Sequence, residues 1–322
     1  MSAGDAGKRL VVALSGGIGG AKLALGLSRV MAGADLLVVA NIGDDFEHLG
    51  LAISPDLDTL MYTLAGLDDP ERGWGRRDET WTFMTALAAL GGETWFRLGD
   101  GDLATHVERT RRLAGGESLS AITADFRRRL GIATRIVPVS DDAVRTRLRT
   151  SEGWLDFQDY FVRRRCQPAV TELAYDGAAC ARVHTDVIAA LHDPGLRAVV
   201  ICPSNPFVSI EPMLAVRGMR EAIRACRAPV VAVSPIIGGR AVKGPTAKIM
   251  AELGMPVSAT AVAQRYAGLL DGYVLDHADA ASAAELGIPV TMAHTLMRTI
   301  EDREALARHV LATADALAKA VA

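Results

Sequence analysis

The stretch LVVALSGGIGGAKLALGL, residues 10–27, changes character part-way along. Its first five residues are a continuous apolar run of strand type. SGGIGGAK then interrupts, and apolar residues return at helical spacing. A strand that ends in glycines and enters a helix is a ready anion cradle. The backbone can approach closely, and the first N–H groups of the helix lack partners. Two well-known phosphate patterns fail here. Starting from Gly17 and Gly19, the third glycine of G-x-G-x-x-G would fall on Lys22, and no G-K-[ST] follows. Gly16, Gly17, Gly19 and Gly20, with Lys22 on the first helical turn, therefore read as a less specific phosphate holder. The plain alternative is a tight strand–helix turn, with Lys22 a solvated side chain. The failed fingerprint also argues against a nicotinamide-dependent oxidoreductase.

Further out, short apolar β runs at 8–14, 35–40, 198–202, 229–234, 272–275 and 289–292 alternate with helical patterns, among them 21–31 and 55–64. Such alternation predicts an α/β fold with a doubly wound, mostly parallel, Rossmann-like sheet. The middle differs. Residues 71–130 are dominated by helical patterns, and 132–175 read as irregular β structure. The expected organisation is a core from 1–70 and 195–322, with 71–194 inserted as a helical plus small-β cap. The 322 residues suffice for a domain with such an insertion. A formal net charge of −3 gives no field that would draw the chain to nucleic acid. Cys166, Cys180, Cys202 and Cys226 form no C-x-x-C pair, which argues against a zinc site and suits a cytoplasmic protein. No signal-peptide pattern precedes the first strand, and no apolar run is long enough for a membrane span.

Parallel strands of a doubly wound sheet end at one edge, where ligands bind. Three further junctions should therefore converge with the glycine loop. NIGDDFEHLG, residues 41–50, brings Asp44, Asp45, Glu47 and His48, and Asp56 and Asp58 follow. Carboxylates beside a phosphate site suit Mg²⁺, although Asp56 and Asp58 also sit where a helix start favours acidic residues. PSNPFVSIEP, residues 203–212, offers Ser204, Asn205 and Ser209, which can bond a base or ribose or simply shape a turn. SPIIGGRAVKGPTAK, residues 234–248, carries Gly238, Gly239, Lys243 and Gly244, a candidate second anion loop. In the cap, Trp74, Trp81 and Trp95 are candidates to stack on a flat ring or to fill a core. The run Arg163, Arg164, Arg165 can bind an anion or form a charged strand face.

These segments, together with GDLATHVERTRRL and FQDYFVRRRCQP, occur in one order and resemble the 2-phospho-L-lactate transferase family of coenzyme F-420 biosynthesis. The resemblance runs from about residue 10 to residue 275. It implies transfer of a phospholactyl or phosphoenolpyruvyl group from a guanosine diphosphate ester to the ribityl hydroxyl of the hydroxylated deazaflavin Fo. GMP leaves, Mg²⁺ assists, and the enzyme is a homodimer. Carried over by position, the resemblance places Gly16, Gly17, Gly19, Gly20 and Lys22 at the donor diphosphate. Gly238, Gly239, Lys243 and Gly244 form a second anion loop, and Asn205 and Ser209 face the nucleoside. Asp45 and Asp58 hold the metal, and Asp44 and Asp45 are the catalytic pair, with Asp44 a candidate to accept the hydroxyl proton. Asp44 and His48 face the deazaflavin, and Trp81, apart from the resemblance, is the cap tryptophan taken as the candidate to stack on its ring. One position departs from the family pattern. In LGDGDLATH, Gly101 stands where the resemblance leads one to expect a basic residue, as in R-D-L-A-T-H. A nucleotide-sugar-binding regulatory protein of related fold is the alternative reading, and the acidic set 44–58 argues against it.

Overall fold

The computed structural model describes residues 9–242 and 244–321. Its centre is a sheet of seven parallel strands. These are β1 (Leu10–Ser15), β2 (Leu36–Ala40), β3 (Arg135–Pro138), β4 (Leu196–Ile201), β5 (Val230–Val233), β6 (Gly272–Asp276) and β7 (Val290–Ala293). Across the sheet the order is β7-β6-β5-β4-β1-β2-β3, and every neighbouring pair is parallel. The chain winds outward from β1 to β3 and then returns to the other side of β1 with β4. That reversal opens a crevice beyond the ends of β1 and β4. Register makes the crevice level: Ser15 pairs with Ala40, and Leu14 pairs with Ile201.

Helices cover both faces, so the inner strands are apolar on both sides. All five residues of β2 are buried, as are Val11 to Ser15 of β1. Helix α1 (Gly17–Val30) crosses the C-terminal helix Ile300–Val321 at Gly26. A Cβ there would lie 2.1 Å from the Arg303 carbonyl oxygen, so the close crossing depends on glycine. Helix α2 (Pro55–Ala65) starts with proline at its first position and ends on Gly66 in the left-handed region.

The structure departs from the sequence expectation in three places. Helix α1 starts at Gly17, four residues early, so three of the four glycines belong to its first turn. The segment 135–138 does not belong to the cap. It is the edge strand β3, beside β2, so the inserted region is split by a return to the central sheet. On one side of β3 lie helices α3 (Thr82–Ala89), α4 (Asp100–Ala114) and α5 (Leu119–Arg129). On the other lies a three-stranded antiparallel sheet from 145–150, 153–156 and 170–176. Finally, residues 159–163 form a π-helical turn rather than a strand. Arg163 pairs there with Glu93 and Asp159, and Arg164 with Glu152 and Asp159. Among the described residues, no helix is long and apolar enough to cross a membrane.

Candidate active site

The loops after β1, β2, β4, β5 and β7 meet at one cleft of about 640 Å³, roofed by the inserted region. Its floor is the start of α1. Gly17 has φ +63°, a conformation that favours glycine, and its N–H donates to Asp56 Oδ1 at 2.6 Å. The Gly16 N–H donates to Ser204 Oγ at 3.2 Å. Among the described residues, no hydrogen bond uses the Ile18 or Gly19 N–H, so two donors of the first turn remain for an anion.

Gly19 and Gly20 do something other than line a loop. A Cβ on Gly19 would lie 2.3 Å from the Pro203 carbonyl oxygen, and one on Gly20 would lie 2.5 Å from Ser15 Oγ and Ser204 Oγ. Their small size lets α1 rest against the turn after β4. Gly19→Ala is therefore expected to destabilise the fold by about 1–3 kcal/mol through overpacking against backbone, measured by chemical denaturation. Lys22 lines the cleft, and its Nζ donates to the Met297 carbonyl at 3.0 Å, tying α1 to the segment after β7.

The acidic turn is organised by Asn41, fully buried at the end of β2. Its Nδ2 lies 3.2 Å from Asp44 Oδ1, 2.9 Å from Asp56 Oδ2 and 3.1 Å from the Val208 carbonyl. Gln158 Nε2 reaches the other oxygen of Asp44 at 3.3 Å. Two buried carboxylates thus share one amide, and among the described residues no cationic side chain forms an ion pair with either. Burial, then Asp56 and Asp45, push the Asp44 carboxyl well above its usual range. Burial pushes Asp56 up to about 6, against the opposing hydrogen bonds from Asn41 and Gly17.

Of the expected metal pair, Asp58 lines the cleft, together with Asp102 and His106, and Asp45 does not. Asp58 is held by a two-point ion pair with the buried Arg109, one N–O distance being 3.1 Å. Asp45 turns away from the cleft and accepts from Ser54 Oγ at 2.9 Å, and burial lifts its pKa to about 7. The reason is helical geometry. Side chains two residues apart on α2 point about 200° apart, so Asp56 reaches the α1 start while Asp58 faces α4. Around Asp58 lies a cluster that sequence reading missed. His106 Nδ1 is 3.6 Å from Asp58, His106 Nε2 is 3.2 Å from Asp102, and Tyr62 donates to Asp102 at 2.6 Å. Asp58, Asp102 and His106 have ligand atoms close enough to share an ion, but Arg109 already neutralises Asp58. The usable signal was spacing: residues 102, 106 and 109 fall on one face of α4.

The segment after β4 lies in the cleft wall with Ser204, Asn205 and Ser209. Asn205 caps a π-helical turn, Pro206–Ile210, and accepts from the Phe207 N–H at 2.9 Å, while its buried Nδ2 has no hydrogen-bond partner among the described residues. Ser209 lines the cleft beside Gly16. The second glycine loop divides. Gly238 and Gly239, both at positive φ, turn a two-residue hairpin and donate to Asp279 at 2.9 and 3.3 Å, so that turn is already occupied by a carboxylate and lies outside the cleft. Gly244 lines the cleft, and Lys243 lies outside the described residues.

On the cap side, His48 is packed among Phe46, Trp95 and Phe96, with the Trp95 ring 5.0 Å away, and does not face the cleft. Trp81 also lies outside the cleft lining. Its ring carries Arg97 at 4.1 Å and Arg72 at 5.1 Å, with Trp74 edge-on at 6.3 Å. The cleft is instead walled by Trp74, Trp95, Phe96, Phe157 and Phe161. Phe157 and Phe161 stack 5.3 Å apart.

An anion-ready helix start, a buried carboxylate pair and an aromatic wall share one crevice. The profile of the 2-phospho-L-lactate transferase CofD family matches residues 11–310. The chain belongs to this family. Curated relatives agree. A phosphoenolpyruvate transferase from Streptomyces griseus is 40% identical over 314 residues, covering 95% of this chain and 98% of its own. One from Mycobacterium leprae is 40% identical over 312 residues, covering 88% and 93%. A solved structure of a UPF0052-family protein from Bacillus halodurans shares the fold, with a TM-score of 0.65 at 13% identity over 94% of this chain and 99% of that one. The chain is thus an enzyme of the 2-phospho-L-lactate transferase type, with a transferase role in F-420 biosynthesis.

Proposed function

We propose that this transferase moves a phosphoenolpyruvyl group from enolpyruvyl-diphosphoguanosine to the terminal ribityl hydroxyl of the deazaflavin Fo, releasing GMP. The observation that carries the reading is the join between two unlike halves of one cleft. A polar floor suited to a diphosphate meets an aromatic wall suited to a flat ring. The name shared by the similar Streptomyces and Mycobacterium proteins supports the enolpyruvyl donor over the lactyl one.

In this reading the free N–H groups of Ile18 and Gly19 hold a phosphate oxygen. Asn205 Nδ2 and Ser209 Oγ serve the nucleoside. Trp95, Phe96 and the Phe157–Phe161 pair take the ring. Asp44 and Asp56 fit Mg²⁺: they are buried, close and without an ion-paired cation among the described residues, and oxygen donors suit that ion. When bound, the ion offsets charge on the diphosphate. Asp45, held by Ser54 behind them, supports the turn rather than the ligand. Positioning and charge neutralisation do most of the work in such transfers. The protein is proposed to act as a homodimer.

The reading is tested by supplying Fo with enolpyruvyl- or lactyl-diphosphoguanosine and identifying products by mass spectrometry. The expected result is a faster phosphoenolpyruvyl adduct. A lactyl adduct formed faster would reverse the donor assignment.

A further inference from the structure

Arg97 stands apart among the cations of the cleft. Its guanidinium lies 4.1 Å from the centroid of the Trp81 ring, and among the described residues it forms no ion pair or hydrogen bond. Arg72, on the same indole, is neutralised by Asp69 at 2.6 Å. Arg109 is neutralised by Asp58. A guanidinium stacked on an aromatic face is oriented by the ring while its N–H edge stays free to donate.

The platform beneath Arg97 is rigidly placed. Glu79 accepts from the Gly101 and Asp102 N–H groups at 2.7 and 2.8 Å. Asp100 accepts from the Thr80 hydroxyl and from the Thr82 and Phe83 N–H groups at 2.5, 3.0 and 3.0 Å. Both neighbours of Trp81 are thus bonded to the first turn of α4, the turn that contains Gly101. The Gly101 carbonyl accepts from the Arg76 guanidinium at 3.3 Å, which ties this turn further to the segment before Trp81. Arg97, four residues before Gly101, is fixed on the indole that this same turn holds.

We propose that Arg97, held on Trp81, donates to an ionised oxygen on the flat ring of the bound acceptor. The assignment rests on the deazaflavin-acceptor reading above. It makes Arg97 a specificity-determining residue and Trp81 a positioning residue. The acceptor side is favoured over the donor because Arg97 shares its part of the cleft wall with Trp74, Trp95 and Phe96, whereas the free N–H groups lie at the α1 start. A hydroxylated deazaflavin that has lost its ring proton presents an anionic, in-plane oxygen, which suits a planar donor edge.

The test is binding of Fo alone, followed by its fluorescence across the pH range in which its ring hydroxyl ionises. Wild type, Arg97→Ala and Arg97→Lys are compared. Wild type is expected to bind more tightly as the ring ionises. Arg97→Ala should lose at least about tenfold in affinity for the ionised form, the size expected for one charge-assisted hydrogen bond, and its pH dependence should flatten. Arg97→Lys should recover part of the affinity and part of the pH dependence. In turnover, KM for Fo should rise while kcat and the donor KM change little. Unchanged Fo binding and pH profile in Arg97→Ala would overturn the proposal, as would a rise confined to the donor KM. Failure of the wild type to bind Fo would instead overturn the acceptor reading itself.

Discussion

Asp56→Asn should remove Mg²⁺-dependent turnover and, at the same time, flatten the acid side of the stability profile of the metal-free protein. The two effects have one origin. Asp56 and Asp44 are buried around a single amide, with no ion-paired cation among the described residues. If Asp56 holds Mg²⁺ as proposed, losing the ion that offsets phosphate charge costs several kcal/mol in the transition state, so activity should fall by roughly a thousandfold. The stability effect follows from the raised pKa. Asp56 is pushed from an ordinary 3.8 to about 6. Its folded state therefore binds the proton more tightly than its unfolded state. The contribution is fully present below about pH 4 and is lost as pH rises through about 6, amounting to about 3 kcal/mol. Asparagine cannot ionise and should not show that loss. Chemical denaturation of both proteins without Mg²⁺ at pH 5 and pH 8 measures the difference. Equal slopes with pH would contradict the placement of Asp56. Because the carboxylates must lose protons to bind an ion, Mg²⁺ affinity of the wild type should also rise with pH across this range.

Arg109→Met carries the largest expected stability loss. Arg109 is 1% exposed, and its guanidinium grips both oxygens of Asp58 while also reaching the Ala52 carbonyl at 3.3 Å. Removing it leaves a buried carboxylate without its partner, at a cost of about 3–5 kcal/mol. Asp58→Asn in the same chain should return much of that loss, because the orphaned charge disappears with it. Denaturation midpoints of the single and double variants give the coupling directly. A single variant within about 0.5 kcal/mol of wild type would mean that the pair is solvated.

Much of this architecture was legible because parallel strands covered on both faces must be apolar throughout, as in LLVVA at 36–40. The convergence of the loops followed from the same sheet logic, which put Gly16, Asp44, Asn205 and Ser209 in one cleft before any coordinates. What escaped was set by tertiary contact. Strand β3, RIVP within IATRIVPVS, reads as β structure, but only its pairing with β2 places it in the central sheet. Gly19 and Gly20 look like loop glycines, but their constraint comes from Pro203 and Ser204, far along the chain. Asp58 looked equivalent to Asp56 because an acidic residue on a helix gives no hint of which neighbour it will face. Arg109 sits in ERTRRLA, which reads as a solvated charge run, and its burial becomes visible only through the shared helical face with Asp102 and His106. Trp81 was chosen as a ring-stacking surface, yet its own ring is covered by Arg97 and Arg72.

The central claim is that this cleft joins a guanosine-activated three-carbon phosphoacid to a deazaflavin hydroxyl. The most direct test is a stoichiometric one, with Fo, enolpyruvyl-diphosphoguanosine and Mg²⁺ incubated with the purified chain and the products resolved by mass. One GMP should appear for every Fo that gains a phosphoenolpyruvyl group, and neither should form when Fo or Mg²⁺ is omitted. GMP released without any adduct on Fo, or no GMP at all with both substrates bound, would contradict the account.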